Sequence, residues 1–303
     1  MISVVICTYN RSSFLRHCLG SLQKQTASLD KFEVVVVNNN SIDDTEGVAK
    51  DFESVFPFFK YCFEDKQGLS FARNKGYEQA SCDWVAYLDD DAVARLNWVE
   101  IILETISKGD FDVFGGVYTA WHALRECPKW FSSEWETNTS ISEVYTVLEK
   151  DYPSGGNCVY RKSLLLKHGG FSPTLGMKGN STAYGEETLL IDTMRQHGVV
   201  VGFVPELLID HCVIERKYSL IWRLNRSFAI GRDSVTICNE SSMAELSKSI
   251  LKCVCFLVCS PVKALCRWVV TKEYYWQNVV LDSFSRVTFH LGRLVGGVKA
   301  QCR

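Results

Sequence analysis

Short apolar runs alternate with amphipathic stretches along the first part of the chain. Ile2 to Cys7 (ISVVIC) reads as a buried strand. After the turn Thr8-Tyr9-Asn10, Ser12 or Ser13 can cap a helix whose apolar face is Phe14, Leu15, Cys18, Leu19 and Leu22. Phe32 to Val37 (FEVVVV) is nearly all β-branched and suits a central strand of a parallel sheet. NNNS follows, then a short helix from about Asp43. The pattern predicts further strands over Phe58 to Phe63, Trp84 to Leu88 and Val113 to Val117. It predicts helices over Leu69 to Ala80 and from about Trp98 to Ile106. This alternation predicts an α/β fold with a mostly parallel central sheet flanked by helices.

From Tyr118 to Tyr152 the periodicity fades into a segment rich in Trp and acidic residues, expected to be irregular and to line a site. In SGGNCVYRKSLLLKHGGF, residues 154 to 171, Gly155 and Gly156 permit close backbone approach to a ligand. A short strand and a helix ending at His168-Gly169 follow. Residues 183 to 198 predict a helix opening with Glu186 and Glu187. Val199 to Val204 predicts a strand, Pro205 a break, and Leu207 to Asp210 leads to His211. Beyond about Lys217 the chain reads as helices with mixed basic and apolar faces. The expected organisation is a domain over 1–216, with halves at 1–117 and 118–216, and a C-terminal helical extension over 217–303.

Three adjacent carboxylates, Asp89, Asp90 and Asp91, follow the Trp84 to Leu88 strand. Their mutual repulsion calls for a cation, and a hard divalent ion carrying a phosphorylated ligand is the simplest choice; the alternative is a solvated acidic turn. Thr8 and Asn10, then Asn38 to Ser41 including Asn40, also come straight after strands. In an open parallel sheet such ends share one edge, where ligands bind. No GxGxxG or Walker motif occupies these turns, so phosphate would be held by metal and cationic side chains.

The formal net charge of −2 gives no basic footprint for nucleic acid. The N-terminus opens directly with a strand, without a charged leader or cleavage site, which predicts a cytoplasmic protein. Its thirteen cysteines, with no CxxC pair, are then expected to be mostly small core residues. No apolar run reaches the length of a membrane span. The nearest approach, CVCFLVC at 253 to 259, is short and flanked by Lys248, Lys252, Lys263 and Arg267. The surrounding stretch is either a helical cap on the core or an interfacial helix at a membrane surface.

Seven motifs in order, VVICTYNR, VVVVNNNSIDDT, GLSFARNKG, YLDDDA, SGGNCVYRK, GEET and DHC, are similar to those of the family 2 glycosyltransferases. The resemblance runs from residue 2 to about 230. It implies the GT-A fold, a nucleotide-sugar donor and an inverting displacement with Mg2+ or Mn2+. Residue by residue, it places Thr8 beside the base and Asn38 where the family usually carries an aspartate, which leaves uridine and thymidine both open. It sets Arg73 near the donor and Asp89 towards the ribose, in a nucleotide-sugar site that also takes in Asn10, Asn40 and Asp90. Asp91 and His211 fall on the metal. Glu187 matches the general base, with Glu186 as competitor where the commoner pair is Glu-Asp.

The acceptor region is expected to take in Gly155, Gly156, Asn157 and Trp121, with Trp130 and Trp135 nearby. The expected acceptor is a saccharide or lipid-linked saccharide of a bacterial surface polysaccharide, met at the cytoplasmic face of the inner membrane. Two rival functions share these features: a sugar nucleotidyltransferase, which would need a Gly-rich basic N-terminal loop, and a non-catalytic nucleotide-sugar-binding protein.

Overall fold

The computed structural model describes residues 1–123, 125–179 and 181–301. They form two compact units: Met1–Trp121 with Glu134–Thr174 and Glu186–Cys212, and His122–Ser133 with Leu175–Gly185 and the chain from Val213 onward.

The first unit begins β1 (Ile2–Thr8), α1 (Ser12–Gln23), β2 (Phe32–Asn38), α2 (Thr45–Glu53), β3 (Phe59–Phe63), α3 (Leu69–Gln79) and β4 (Trp84–Leu88). It continues through β5 (Ala92–Ala94), α4 (Trp98–Lys108), β6 (Val113–Trp121), β7 (Thr146–Val147), β8 (Asn157–Arg161), α5 (Lys162–Lys167), α6 (Glu186–Arg195) and β9 (Val201–Cys212). The sheet order is β3-β2-β1-β4-β8-β6-β9-β5, with β7 beside β9. On one face Leu15, Leu19, Phe52, Trp98 and Ile102 pack onto Ile2, Val4, Val34 and Val36. On the other, Ala72, Tyr77, Leu165, Ile191 and Met194 pack onto Val5, Val35 and Tyr87. The valines of β2 are buried on both faces, which is why FEVVVV carries no polar alternation.

Two features depart from the sequence reading. The β1–β4 group is parallel, as is β6 with β9, but β8 lies antiparallel to both β4 and β6. The connection into β8 is the long irregular segment after β6 rather than a helix, so nothing imposes a parallel crossover there. Pro205 does not end its strand. Gly116 pairs with Val204 and Val117 with Leu208, so Pro205, Glu206 and Leu207 form a bulge. A bulge needs no ladder N–H from proline. A Cβ on Gly116 would overlap the Leu207 carbonyl oxygen, so glycine lets the bulge close on β6.

The second unit is dominated by α7 (Leu220–Cys238), α8 (Met243–Val270) and α9 (Trp276–Gln301). Ser219 caps α7 at the Trp222 N–H and Ser242 caps α8 at the Glu245 N–H. α7 and α9 touch backbone to backbone: a Cβ on Gly231 would strike the Phe289 carbonyl, and one on Gly292 the Phe228 carbonyl. α8 is continuous across Pro261 and, by length and composition alone, could cross a membrane. The sequence criterion missed it because Lys252, Ser260, Pro261 and Lys263 interrupt the apolar run, whereas the best 18-residue window still averages a hydropathy of 1.8. The cysteines divide likewise. Cys18, Cys82, Cys158 and Cys212 are buried as expected, while Cys255, Cys259 and Cys266 on α8 are exposed.

Asn157 heads β8 with no solvent exposure. Its Oδ1 accepts from Trp98 Nε1 at 2.8 Å, and its Nδ2 donates to the Val117 and Leu207 carbonyls at 3.1 and 2.8 Å. It therefore ties α4, β6 and the β9 bulge together, with both amide N–H donors spent inside the fold. Asn157→Ala strands three buried polar groups and is expected to lower unfolding free energy by about 3 kcal/mol or more in urea titration, with the slope unchanged.

Candidate functional site

Most of the residues marked out by the sequence lie at the strand ends of the first unit. Thr8 ends β1 and Asn38 ends β2; the Asp89–Asp91 triplet follows β4, and His211 sits near the end of β9, paired with Ala120 and Ala92. Arg73 comes from α3, and Glu186 and Glu187 from the first turn of α6.

Asp89, Asp91 and His211 each present a ligand atom, and all these atoms lie within 4.8 Å of one another. Two carboxylates and one imidazole form a donor set able to hold a divalent metal ion. His211 Nε2 is 3.2 Å from Asp91 Oδ1, while its Nδ1 is buried without a hydrogen-bond partner. The donor set and the unspent ring nitrogen fit a divalent ion held by Asp91, His211 and Asp89.

One cation that meets the triplet, at Asp90 and Asp91, is Arg11, the last residue of the TYNR motif. Its Nη1 lies 2.8 Å from Asp90 and 3.0 Å from Asp91, both nearly buried. Burial pushes the Asp90 carboxyl above its usual range, with Arg11 pulling the other way. The Thr8 hydroxyl is buried close by. The sequence carried a signal for Arg11: three acids needed positive charge, and an arginine follows the neighbouring strand end.

Arg73 is the second cation. Buried over Phe171, it bonds Glu186 at 2.7 Å and stands 3.9 Å from Glu187 and 3.7 Å from Asp89. Burial, then the charge of Glu187, pushes the Glu186 carboxyl up against the pull of Arg73. Glu187 is more open than Glu186, and its Oε2 has no hydrogen-bond partner. Near Arg73, desolvation drives the thiol of the half-buried Cys7 up to about 12.

Gly155 and Gly156 owe their identity to the protein itself. A Cβ on Gly156 would overlap the Asp89 carboxylate, and one on Gly155 would stand 2.8 Å from Arg73 Nη2. Asn38 also faces inward: Nδ2 donates to the Tyr61 hydroxyl and Oδ1 accepts from the Ser41 N–H. Asn10 and Asn40 hold their turns in left-handed conformations, φ 52° and 65°. Trp121 ends β6, one register step beyond the His211 pair, with His17 edge-on at 6.3 Å. The two help line a mainly apolar hollow of about 390 Å³ beneath α1. Trp135 belongs to the first unit, and Trp130 to the second, where its carbonyl accepts from Asn278.

A parallel-edged α/β sheet that gathers these acids, a histidine and two arginines at its strand ends has counterparts among known proteins. Residues 3–169 match the family described as "Glycosyl transferase family 2", and the chain belongs to that family. It is a glycosyltransferase. It is 27% identical over 240 residues to a glucosyl-dolichyl phosphate glucuronosyltransferase of Haloferax volcanii, covering 76% of this chain and 75% of that protein. It is 25% identical over 236 residues to the succinoglycan biosynthesis protein ExoM of Rhizobium meliloti, covering 76% and 73%. The fold matches the mannosyltransferase PcManGT of Pyrobaculum calidifontis, solved with GDP-Man and Mn2+, at TM-score 0.61 and 16% identity over 99% of this chain and 86% of that one. It also matches residues 1–349 of S. aureus TarS, solved with UDP, at TM-score 0.56 and 15% identity over 100% and 92%. The fold is GT-A.

Arg11 pairs with Asp91, a carboxylate that the divalent ion would also use. Arg11→Gln is expected to tighten Mn2+ binding roughly tenfold in an electron-paramagnetic titration and to lower the melting temperature of the metal-free protein. A second expectation concerns Glu186. Its folded-state pKa is raised, so the folded protein holds that proton more tightly than the unfolded chain. The stability this lends is present at low pH and is lost as pH rises through the folded value. Glu186→Gln should therefore gain melting temperature relative to wild type between about pH 5 and about pH 9, read by scanning fluorimetry across that range.

Proposed function

We propose that the protein is a metal-dependent, inverting glycosyltransferase. It takes a sugar from a nucleotide-sugar donor, uridine-linked first and thymidine-linked second. The acceptor is a hydroxyl of a saccharide or lipid-linked saccharide in surface-polysaccharide synthesis, met at the cytoplasmic face of the inner membrane. The observation that carries this reading is that one buried arginine, Arg73, joins Asp89 of the candidate metal group to the carboxylate pair Glu186–Glu187. Metal-side charge and a proton acceptor thus stand on either side of a single guanidinium.

The names of similar proteins favour the substrate class. A Campylobacter jejuni relative, 31% identical over 116 residues and covering 38% of this chain and 37% of that protein, is a GalNAc(5)-diNAcBac-PP-undecaprenol beta-1,3-glucosyltransferase. The H. volcanii relative is named for a glucosyl-dolichyl phosphate. Both acceptors are lipid-linked sugars. The structural neighbours hold UDP or GDP-Man.

Glu187 acts as general base. It is the more open of the pair, and its Oε2 stands 3.9 Å from Arg73 without a hydrogen bond, whereas Glu186 is hydrogen-bonded to Arg73 at 2.7 Å. Taking the acceptor proton as the new bond forms is work for a carboxylate within hydrogen-bond reach. Glu186 holds Arg73 in place, and Arg73 offers positive charge to the leaving diphosphate. Bound at Asp91, His211 and Asp89, Mn2+ or Mg2+ supplies further charge stabilisation for that leaving group. Displacement without a second carboxylate nucleophile inverts the anomeric carbon.

Nucleoside diphosphate release from a panel of UDP-, dTDP- and GDP-sugars with Mn2+ and a lipid-linked acceptor tests the reading. One donor is expected to turn over. Glu187→Gln should cost about 10²- to 10⁴-fold in kcat with donor binding kept, and Asp91→Ala should lose Mn2+ and donor binding together. Full acceptor-dependent turnover in Glu187→Gln would move the base to Glu186. Donor binding without turnover of any donor would make the protein a binder.

A further inference from the structure

Along α8, Leu251, Val254, Val258, Val262, Leu265 and Val269 recur every three or four residues, so they share one face of the helix. Each is between 49% and 84% exposed. The exposed thiols of Cys255, Cys259 and Cys266 fall on the same side and behave there as small apolar groups. Over 28 residues the helix is about 42 Å long, so this stripe is far larger than scattered surface hydrophobics.

The opposite face is committed within its own unit. Leu246, Ser249, Ser260 and Ala264 are buried. The Cys253 thiol donates to the Val287 carbonyl, Arg267 pairs with Asp282 at 3.3 Å, and Ser249 accepts from Arg293 at 3.3 Å. α8 is therefore bound along its length to α9, which carries Asp282, Arg286, Arg293 and Lys299. A membrane span would drag those charges into hydrocarbon. Only the outward face of α8 is free to leave water.

Charge selects what covers that face. Between Leu246 and Lys272 the chain carries Lys248, Lys252, Lys263, Arg267 and Lys272 and no Asp or Glu; Lys248 pairs with Glu245 at 2.5 Å and Arg267 with Asp282, so the charge of this edge rests on Lys252, Lys263 and Lys272. Two copies of the face would set like charges against each other. A surface of anionic lipid headgroups complements them, with lysine stems lying along the apolar stripe and their ends reaching outward.

We propose that α8 is an in-plane membrane anchor: its Leu251–Val269 stripe enters one leaflet of an anionic bilayer, its basic edge meets the headgroups, and it does not span. This deepens the membrane setting in the proposed function, and its test is independent of the transferase assays.

The test is flotation of the full chain with vesicles of phosphatidylcholine alone or containing phosphatidylglycerol. The chain should float with the anionic vesicles, and raised salt should release it. Val258→Glu with Val262→Glu should reduce the floated fraction at least tenfold at unchanged helicity and donor binding. Ile42→Glu, an exposed apolar change in the first unit, should leave flotation unchanged. Lys252→Gln with Lys263→Gln should abolish the preference for anionic lipid. The proposal is overturned if the chain stays with the unbound fraction. It is overturned equally if the double glutamate variant floats like wild type, or converts a dimer to monomer without any flotation, which would make the face an interface between copies. Retention on vesicles through alkaline carbonate would indicate a span and overturn the in-plane placement. Failure of flotation with donor turnover intact would strike this proposal alone.

Discussion

The site depends on a buried positive charge. Arg73, nearly sealed from solvent, stands among Asp89, Glu186 and Glu187. Glu186 is buried while Asp89 and Glu187 are partly open, and burying even one carboxylate costs several kcal/mol without a counter-charge. The guanidinium supplies it with a planar fork able to face more than one acid. Its own position is set from beneath by the rings of Phe171 and Tyr87, and the Tyr87 hydroxyl donates to the Arg73 carbonyl. The two glycines of the loop before β8 follow from the same requirement, since any side chain there would collide with Arg73 or Asp89. Arg11 performs the matching task for Asp90 and Asp91.

Much of this was legible because the chemistry is written in local runs. Short apolar stretches became strands close to their expected limits, and the polar residues after them converged as a parallel sheet requires. Long-range choices were not legible. The direction of β8 depends on a connection without periodicity, and the persistence of β9 through Pro205 depends on a bulge against Gly116 that exists only once β6 lies beside it. Asn157 looked like a ligand-binding amide. Only in three dimensions do its partners, Trp98, Val117 and Leu207, come within reach. The need for a cation beside the triplet was legible, but the pairing with Arg11, 79 residues from Asp90, was not.

The second unit follows different physics. Its helices are joined by small residues that bring backbones into contact, at Gly231 against α9 and Gly292 against α7, and by long polar side chains such as Arg293, which reaches Glu240 at 2.5 Å. Such packing holds α9 close while leaving α8 half uncovered. The continuity of α8 was concealed by lysines and a proline that break the apolar run on paper, although Lys252 and Lys263 share one edge of the helix and Pro261 leaves it continuous.

The turns after β1 and β2 hold each other. The Asn10 N–H donates to Ser41 Oγ, the Ile42 N–H donates to Asn10 Oδ1, and the Ser12 N–H donates to Asp43. With Asn10 and Asn40 already in the left-handed conformation, the two turns form a single stiff rim instead of two loops. A molecule that presses on either one is resisted by both, and little ordering entropy is left to be lost when it binds. Exchanging one turn for that of a relative would therefore import half of a mated pair, so variation here should be inherited as a block.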